Sequence, residues 1–105
     1  MPEDRLRTAD VEVLLQAFDA LETSDEIYAF LRDVATIREI HDMAQRFGVA
    51  RMLAAGEHYQ RIQQVTGASS TTISRVSRSL NYGAGGYAAV IERIDPLPPE
   101  TDGGA

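Results

Sequence analysis

The sequence predicts an all-α fold, a bundle of short helices that contains a helix-turn-helix. Three observations carry that prediction. Apolar residues recur every three to four positions through most of the chain. Helix-starting residues precede the main periodic runs, and no alternating apolar and polar stretch is long enough for a strand. With 105 residues, 44% of them apolar and 25% charged, the chain has the make-up of one globular domain.

Residues 1–9 read as a flexible N-terminal arm. Residues 10–94 form the helical domain, and the Pro/Gly/acid tail "DPLPPETDGGA", residues 95–105, reads as disordered. Asp10 is placed to cap "VEVLLQAFDALE", whose Val11, Leu14, Leu15, Phe18 and Leu21 share one face. Ser24 caps "DEIYAFLRDV", with Asp25 and Glu26 in the first turn, where the helix dipole favours them. Its apolar face is Ile27, Phe30, Leu31 and Val34. Thr36 and Glu39 fit a capping box, opening a helix that runs through Ile37, Ile40, Met43, Ala44, Phe47 and Leu53 to a stop at Gly56. "HYQRIQQVT" is a short helix with Tyr59, Ile62 and Val65 apolar, broken by Gly67. Ser69 or Ser70 caps "STTISRVSRSL", which Asn81 and Gly83, both tolerant of left-handed backbone, bring to an end. "YAAVIERI" makes a last short helix, with Tyr82 and Tyr87 expected to pack around the glycine-rich hinge before it. The first two helices carry more apolar surface than a small monomer covers, which predicts a helical dimer interface; an ordinary monomeric core is the alternative.

The net charge of −6 at first argues against a nucleic-acid partner, but its distribution argues for one. Residues 1–43 hold eleven acids and four arginines. Residues 44–82 hold Arg46, Arg51, Arg61, Arg75 and Arg78 against Glu57 alone. All ten basic residues are arginine, whose planar fork suits phosphates and guanine edges. The acids elsewhere keep the protein soluble.

Residues 59–80 match the helix-turn-helix plan. Ile62 lies five residues before the turn glycine Gly67, the small Ala68 follows, and Ile73 and Val76 pin the second helix against the first. The outer face of that second helix is then free to enter a major groove. It carries Ser69, Ser70, Thr71, Ser74, Arg75 and Arg78, and with Thr72 these are candidate DNA contacts. Ser and Thr are mediocre helix formers, so their concentration here points to small hydroxyls lying against base edges and phosphates. On the first helix Gln60, Arg61 and Gln63 are candidates, Gln60 and Arg61 being alternatives for one backbone contact. Gln63 stands where many such motifs place alanine.

"TGAS", "TISRV", "LNYG" and "GGY", in that order, resemble the tryptophan-repressor superfamily, more closely its YerC/YecD-type subgroup. The resemblance spans about residues 10–94. It implies an intertwined all-helical homodimer that binds double-stranded operator DNA, as a repressor, through paired helix-turn-helix motifs. It also implies an effector pocket at Thr36, Arg46, Arg75 and Ser79. A glycine follows the second pocket arginine in the tryptophan repressor, leaving room beside the indole; here the residue is Val76. An isopropyl group in that slot is expected to clash, so tryptophan is not the expected effector, and the effector is left unidentified. The residues alone leave other readings open. Arg46 can pair with Asp42 or Glu57, and Arg75 can bind phosphate directly.

Other classes find less support. There is no cysteine, and the two histidines, His41 and His58, lie far apart, so no metal site is expected. No nucleophile, histidine and acid arrangement suggests catalysis, and no cofactor is expected. "NYGAGGY" lacks the lysine of a phosphate loop and follows a helix rather than a strand. No apolar run approaches the ~20 residues of a membrane span, and the charged start "MPEDRLRTAD" is not a secretory signal, so a cytoplasmic protein is expected. Two rival functions stay open: a protein-interaction module working through residues 10–34, and a sensor of another small carboxylate through Arg46 and Arg75.

Overall fold

The computed structural model describes residues 4–94, so the tail 95–105 and the first three residues of the arm lie outside the described residues. Six helices follow in order: α1 (Ala9–Ala20), α2 (Ser24–Val34), α3 (Ile37–Ala54), α4 (Tyr59–Thr66), α5 (Ser70–Tyr82) and α6 (Gly86–Ile94). No strand occurs among the described residues. The chain forms two compact units, one ending at Ile40 and the other beginning at His41, so their junction falls inside α3.

In the first unit, α1 and α2 each start one or two residues earlier than the sequence suggested. Thr8, in extended backbone, caps α1 by accepting the Val11 N–H at 3.2 Å, and this puts Asp10 in the first turn. Thr23 caps α2 in the same way, accepting the Glu26 N–H at 3.1 Å, while the Glu26 carboxylate accepts the Glu22 N–H at 2.8 Å. Threonine wins both positions because a hydroxyl one residue outside the helix reaches the third amide of the first turn. Within the arm, the Leu6 N–H donates to the Asp4 carboxylate and Arg7 pairs with Glu12. That pairing holds the Glu12 carboxyl below its usual range. Phe18 and Phe30 meet edge to face, ring centroids 5.2 Å apart. No residue of α1 or α2 is buried.

At the start of α3 the expected capping box is present. The Thr36 N–H donates to the Glu39 carboxylate at 2.8 Å and the Glu39 N–H to the Thr36 hydroxyl at 3.0 Å.

The core of the second unit is built from Val49 and Ala50 of α3, Ile62 of α4, Ala68 of the turn, and Ile73 and Val76 of α5, each at most 3% exposed. Met52, Leu53, Tyr87 and Ile91 pack around it. At the end of α3, the Gly56 N–H returns to the Leu53 carbonyl and the Glu57 N–H to the Met52 carbonyl, both at 3.0 Å, so the last turn is closed by its own backbone. α5 packs against both α4 and α6.

Two expectations about the end of α5 are corrected. Asn81 is still helical, its amide donating to the Ser77 carbonyl at 2.9 Å. Gly83 has a φ of −88°, not a left-handed one. It is needed because a Cβ there would collide with the Ser79 carbonyl, whose oxygen already accepts the Gly83 N–H at 2.9 Å.

Candidate nucleic-acid interface

The turn between α4 and α5 sets the geometry of the site. Gly67 sits at φ +76°, a conformation that costs an L side chain energy, and its N–H caps α4 by donating to the Gln63 carbonyl at 2.9 Å. The Thr66 hydroxyl donates to the Ile62 carbonyl at 2.7 Å and accepts the Ala68 N–H at 3.1 Å. Gln45 of α3 donates to the Thr66 carbonyl at 3.2 Å. The polar groups freed by the helix break are thereby occupied, and the buried Ala68 lets the two helices cross closely. The Gln45 contact has no local sequence signal, since it joins residues 21 apart.

Ser69 caps α5. Its hydroxyl accepts the Thr72 N–H and meets the Thr72 hydroxyl, both at 3.1 Å. These two candidates therefore serve the helix start first. Ser70, Thr71, Ser74, Arg75 and Arg78 are all exposed, and together they line an open groove of about 300 Å³ along the outer side of α5. Among the described residues, none of these five side chains makes a hydrogen bond or an ion pair, Arg75 and Arg78 included. Gln60, Arg61 and Gln63 are exposed on α4.

Charge at the helix ends sharpens the contrast between the units. α1, α2 and α3 carry Asp or Glu in their first turns, whereas α4 and α5 carry none. The partial positive charge at the start of the two crossing helices thus meets no acidic side chain in the first turn, which favours an anion such as phosphate there.

Among the candidate effector residues of the second unit, Arg75 and Ser79 face different concavities. Thr36 has both its hydroxyl and its N–H engaged by Glu39. Arg46 is exposed and forms no ion pair with Asp42 or Glu57. Arg75 lines the outer groove, while Val76 is 2% exposed in the core. Ser79 opens instead on an apolar hollow of about 520 Å³ shared with Phe47, Gly83, Ala84, Gly86, Tyr87 and Val90, a lining without a charged side chain. Tyr87 packs as expected, stacked on Phe47 with centroids 6.4 Å apart. Tyr82 does not: it is 85% exposed, because it falls on the outer side of α5 with Arg78. Helical periodicity could have placed Ser77, Asn81 and Tyr82 on that side, since they continue the spacing of Ser70, Ser74 and Arg78.

A six-helix chain with this turn and this polar groove matches the Trp repressor protein family model over residues 9–95. The chain belongs to the Trp repressor family. YerC of Bacillus subtilis (strain 168), an uncharacterized protein, is 42% identical over 101 residues, 96% of this chain and 97% of that one. A TrpR-like protein from Eubacterium eligens has the same fold with a TM-score of 0.85 and 50% identity, covering 91% of this chain and 99% of that one. A Staphylococcus aureus relative reaches a TM-score of 0.83 at 40% identity, over 90% of this chain and 94% of that one. The Trp repressor family is one of DNA-binding regulators rather than enzymes. Among the described residues, no three His, Cys, Asp or Glu side chains are grouped to hold a metal ion, and no helix is long and apolar enough to cross a membrane.

Proposed function

We propose that this chain is a homodimeric transcriptional repressor that reads a pseudo-palindromic operator without responding to tryptophan. One observation carries the reading: the outer face of α5 presents Ser70, Thr71, Ser74, Arg75 and Arg78 around one groove, with both arginines unpaired among the described residues. Each protomer would lay α5 in a major groove, the two half-sites about 34–36 Å apart. Ser69 and Thr72 would stiffen the start of α5, and Gln60, Arg61 and Gln63 would approach the backbone from α4. The dimer is supported by α1 and α2, which hold no fully buried residue while Val13, Leu15, Phe18, Ile27 and Tyr28 stay exposed. Insensitivity to tryptophan is supported by Val76, an isopropyl side chain where the tryptophan repressor has glycine, and only 2% exposed in the core.

The test is a titration of duplex DNA, including the gene's own upstream region, at two salt concentrations. Affinity should fall steeply with salt as arginine–phosphate contacts release counterions. Equal affinity at both concentrations, or none for any duplex, would overturn the reading. Adding tryptophan should leave both the affinity and the melting temperature unchanged. The rival reading, a protein-interaction module, draws on the same exposed apolar residues of α1 and α2. Alanine at Arg75 and Arg78 separates the two, because a module would keep its partner and a regulator would lose its DNA.

A further inference from the structure

The polar face of α5 continues past Arg78. A second concavity of about 460 Å³ adjoins the first and is lined by Ser74, Ser77, Arg78, Asn81 and Tyr82. Tyr82 is 85% exposed, and its hydroxyl has no partner among the described residues. At about 100° per residue it stands one turn beyond Arg78 and two beyond Arg75 on the same side, opposite Ile73 and Val76. Asn81 is spoken for, its amide donating to the Ser77 carbonyl at 2.9 Å.

Length decides what such a residue meets. The 13 residues of α5 rise about 18–20 Å, while the major groove is about 12 Å wide. A helix whose N-terminal residues enter the groove therefore carries its C-terminal end out to a sugar–phosphate rim. The N-terminal end arrives with no acid in its first turn. The C-terminal end arrives with the negative pole of the helix dipole and no charge in its last turn, so a phosphate there needs donors from side chains. Arg78 and the Tyr82 hydroxyl are the long-reaching donors of that concavity, which the short hydroxyls of Ser74 and Ser77 also line.

We propose that Tyr82, with Arg78, grips the DNA backbone at the far rim of the major groove, the phenol hydroxyl donating to a phosphate oxygen while the ring lies along the neighbouring sugar. The inference rests on the DNA-binding reading above. A phosphate contact strengthens binding without selecting sequence.

Fluorescence anisotropy of the full chain on its own upstream duplex and on a scrambled duplex, at two salt concentrations, tests it. Tyr82→Phe should weaken both duplexes by the same factor, about tenfold or more for each hydrogen bond to a charged oxygen, of which a dimer loses two. Tyr82→Ala should weaken both further. Neither should change the salt slope, since no charge is removed, whereas Arg78→Ala should lower it by about one for each of the dimer's two Arg78 side chains. Both tyrosine variants binding within about twofold of the wild type would overturn the proposal and leave the DNA-binding reading standing. A changed ratio between the two duplexes would overturn it in favour of base contact, and a lost dimer or lost helicity in favour of a structural role. A wild type that binds neither duplex would overturn both readings together.

Discussion

Ile62, Ile73 and Val76 anchor the crossing of α4 and α5, and each is almost wholly withdrawn from solvent. Ile62→Ala should cost about 2–5 kcal/mol, because the removed carbons leave a cavity that short helices cannot close; urea denaturation measures this directly. On the opposite side of α5, Arg75 and Arg78 stand in water and stabilise nothing in the protomer. Arg75→Ala and Arg78→Ala should therefore keep the wild-type circular dichroism spectrum and melting temperature. Each should weaken DNA binding by about 1–3 kcal/mol per protomer, read by anisotropy. Much of this division was legible beforehand, since the helical period alone separates Ile73 and Val76 from Ser74, Arg75 and Arg78. Tyr82 was misplaced because an aromatic beside a glycine hinge suggests packing, and only the continuation of α5 to Tyr82 turns it outward.

At the scale of elements, helix ends are set by hydrogen bonds that compete over one or two residues. The Thr36–Glu39 box was readable because its two residues lie three apart and answer only each other. The starts of α1 and α2 were misread because Thr8 and Thr23 compete with Asp10 and Ser24, all acceptable caps, and the backbone path selects among them. The box also carries a pH dependence. The Thr36 backbone N–H first, and its side chain next, hold the Glu39 carboxyl below its usual range. A depressed acid contributes stability that is fully present above its unfolded value of 4.5 and lost as pH falls through the lower folded one. Thermal melts from about pH 6 to pH 3 should show the wild type losing this contribution, while Glu39→Gln, which keeps an acceptor that does not titrate, loses less. At the turn, Gly67→Ala should cost about 1 kcal/mol or more, since φ is +76° and alanine resists it.

At the scale of the whole molecule, the two units differ in how complete they are. The second has a core of its own; the first buries no residue of α1 or α2. If a second copy covers those helices, the melting temperature should rise with protein concentration. Phe18→Asp should then yield monomers or unfolded chain by sedimentation equilibrium. The same geometry makes operator spacing a test: inserting about five base pairs, half a helical turn, between the half-sites should abolish tight binding by turning one site to the far side of the duplex.

The order of helices, the glycine turn, the buried and exposed faces of α5 and the isolation of arginines in an acidic chain follow from the sequence alone. Each depends on local period or on residue type, and both are written along the chain. Tertiary structure alone decided that Gln45 closes the turn from 21 residues away, that Ser79 and Arg75 open on different concavities, and that Gly83 is required by a neighbouring carbonyl rather than by its own φ. Those outcomes depend on which groups meet in space, and no period in the sequence encodes a meeting between residues so far apart or a clash with a backbone already turned.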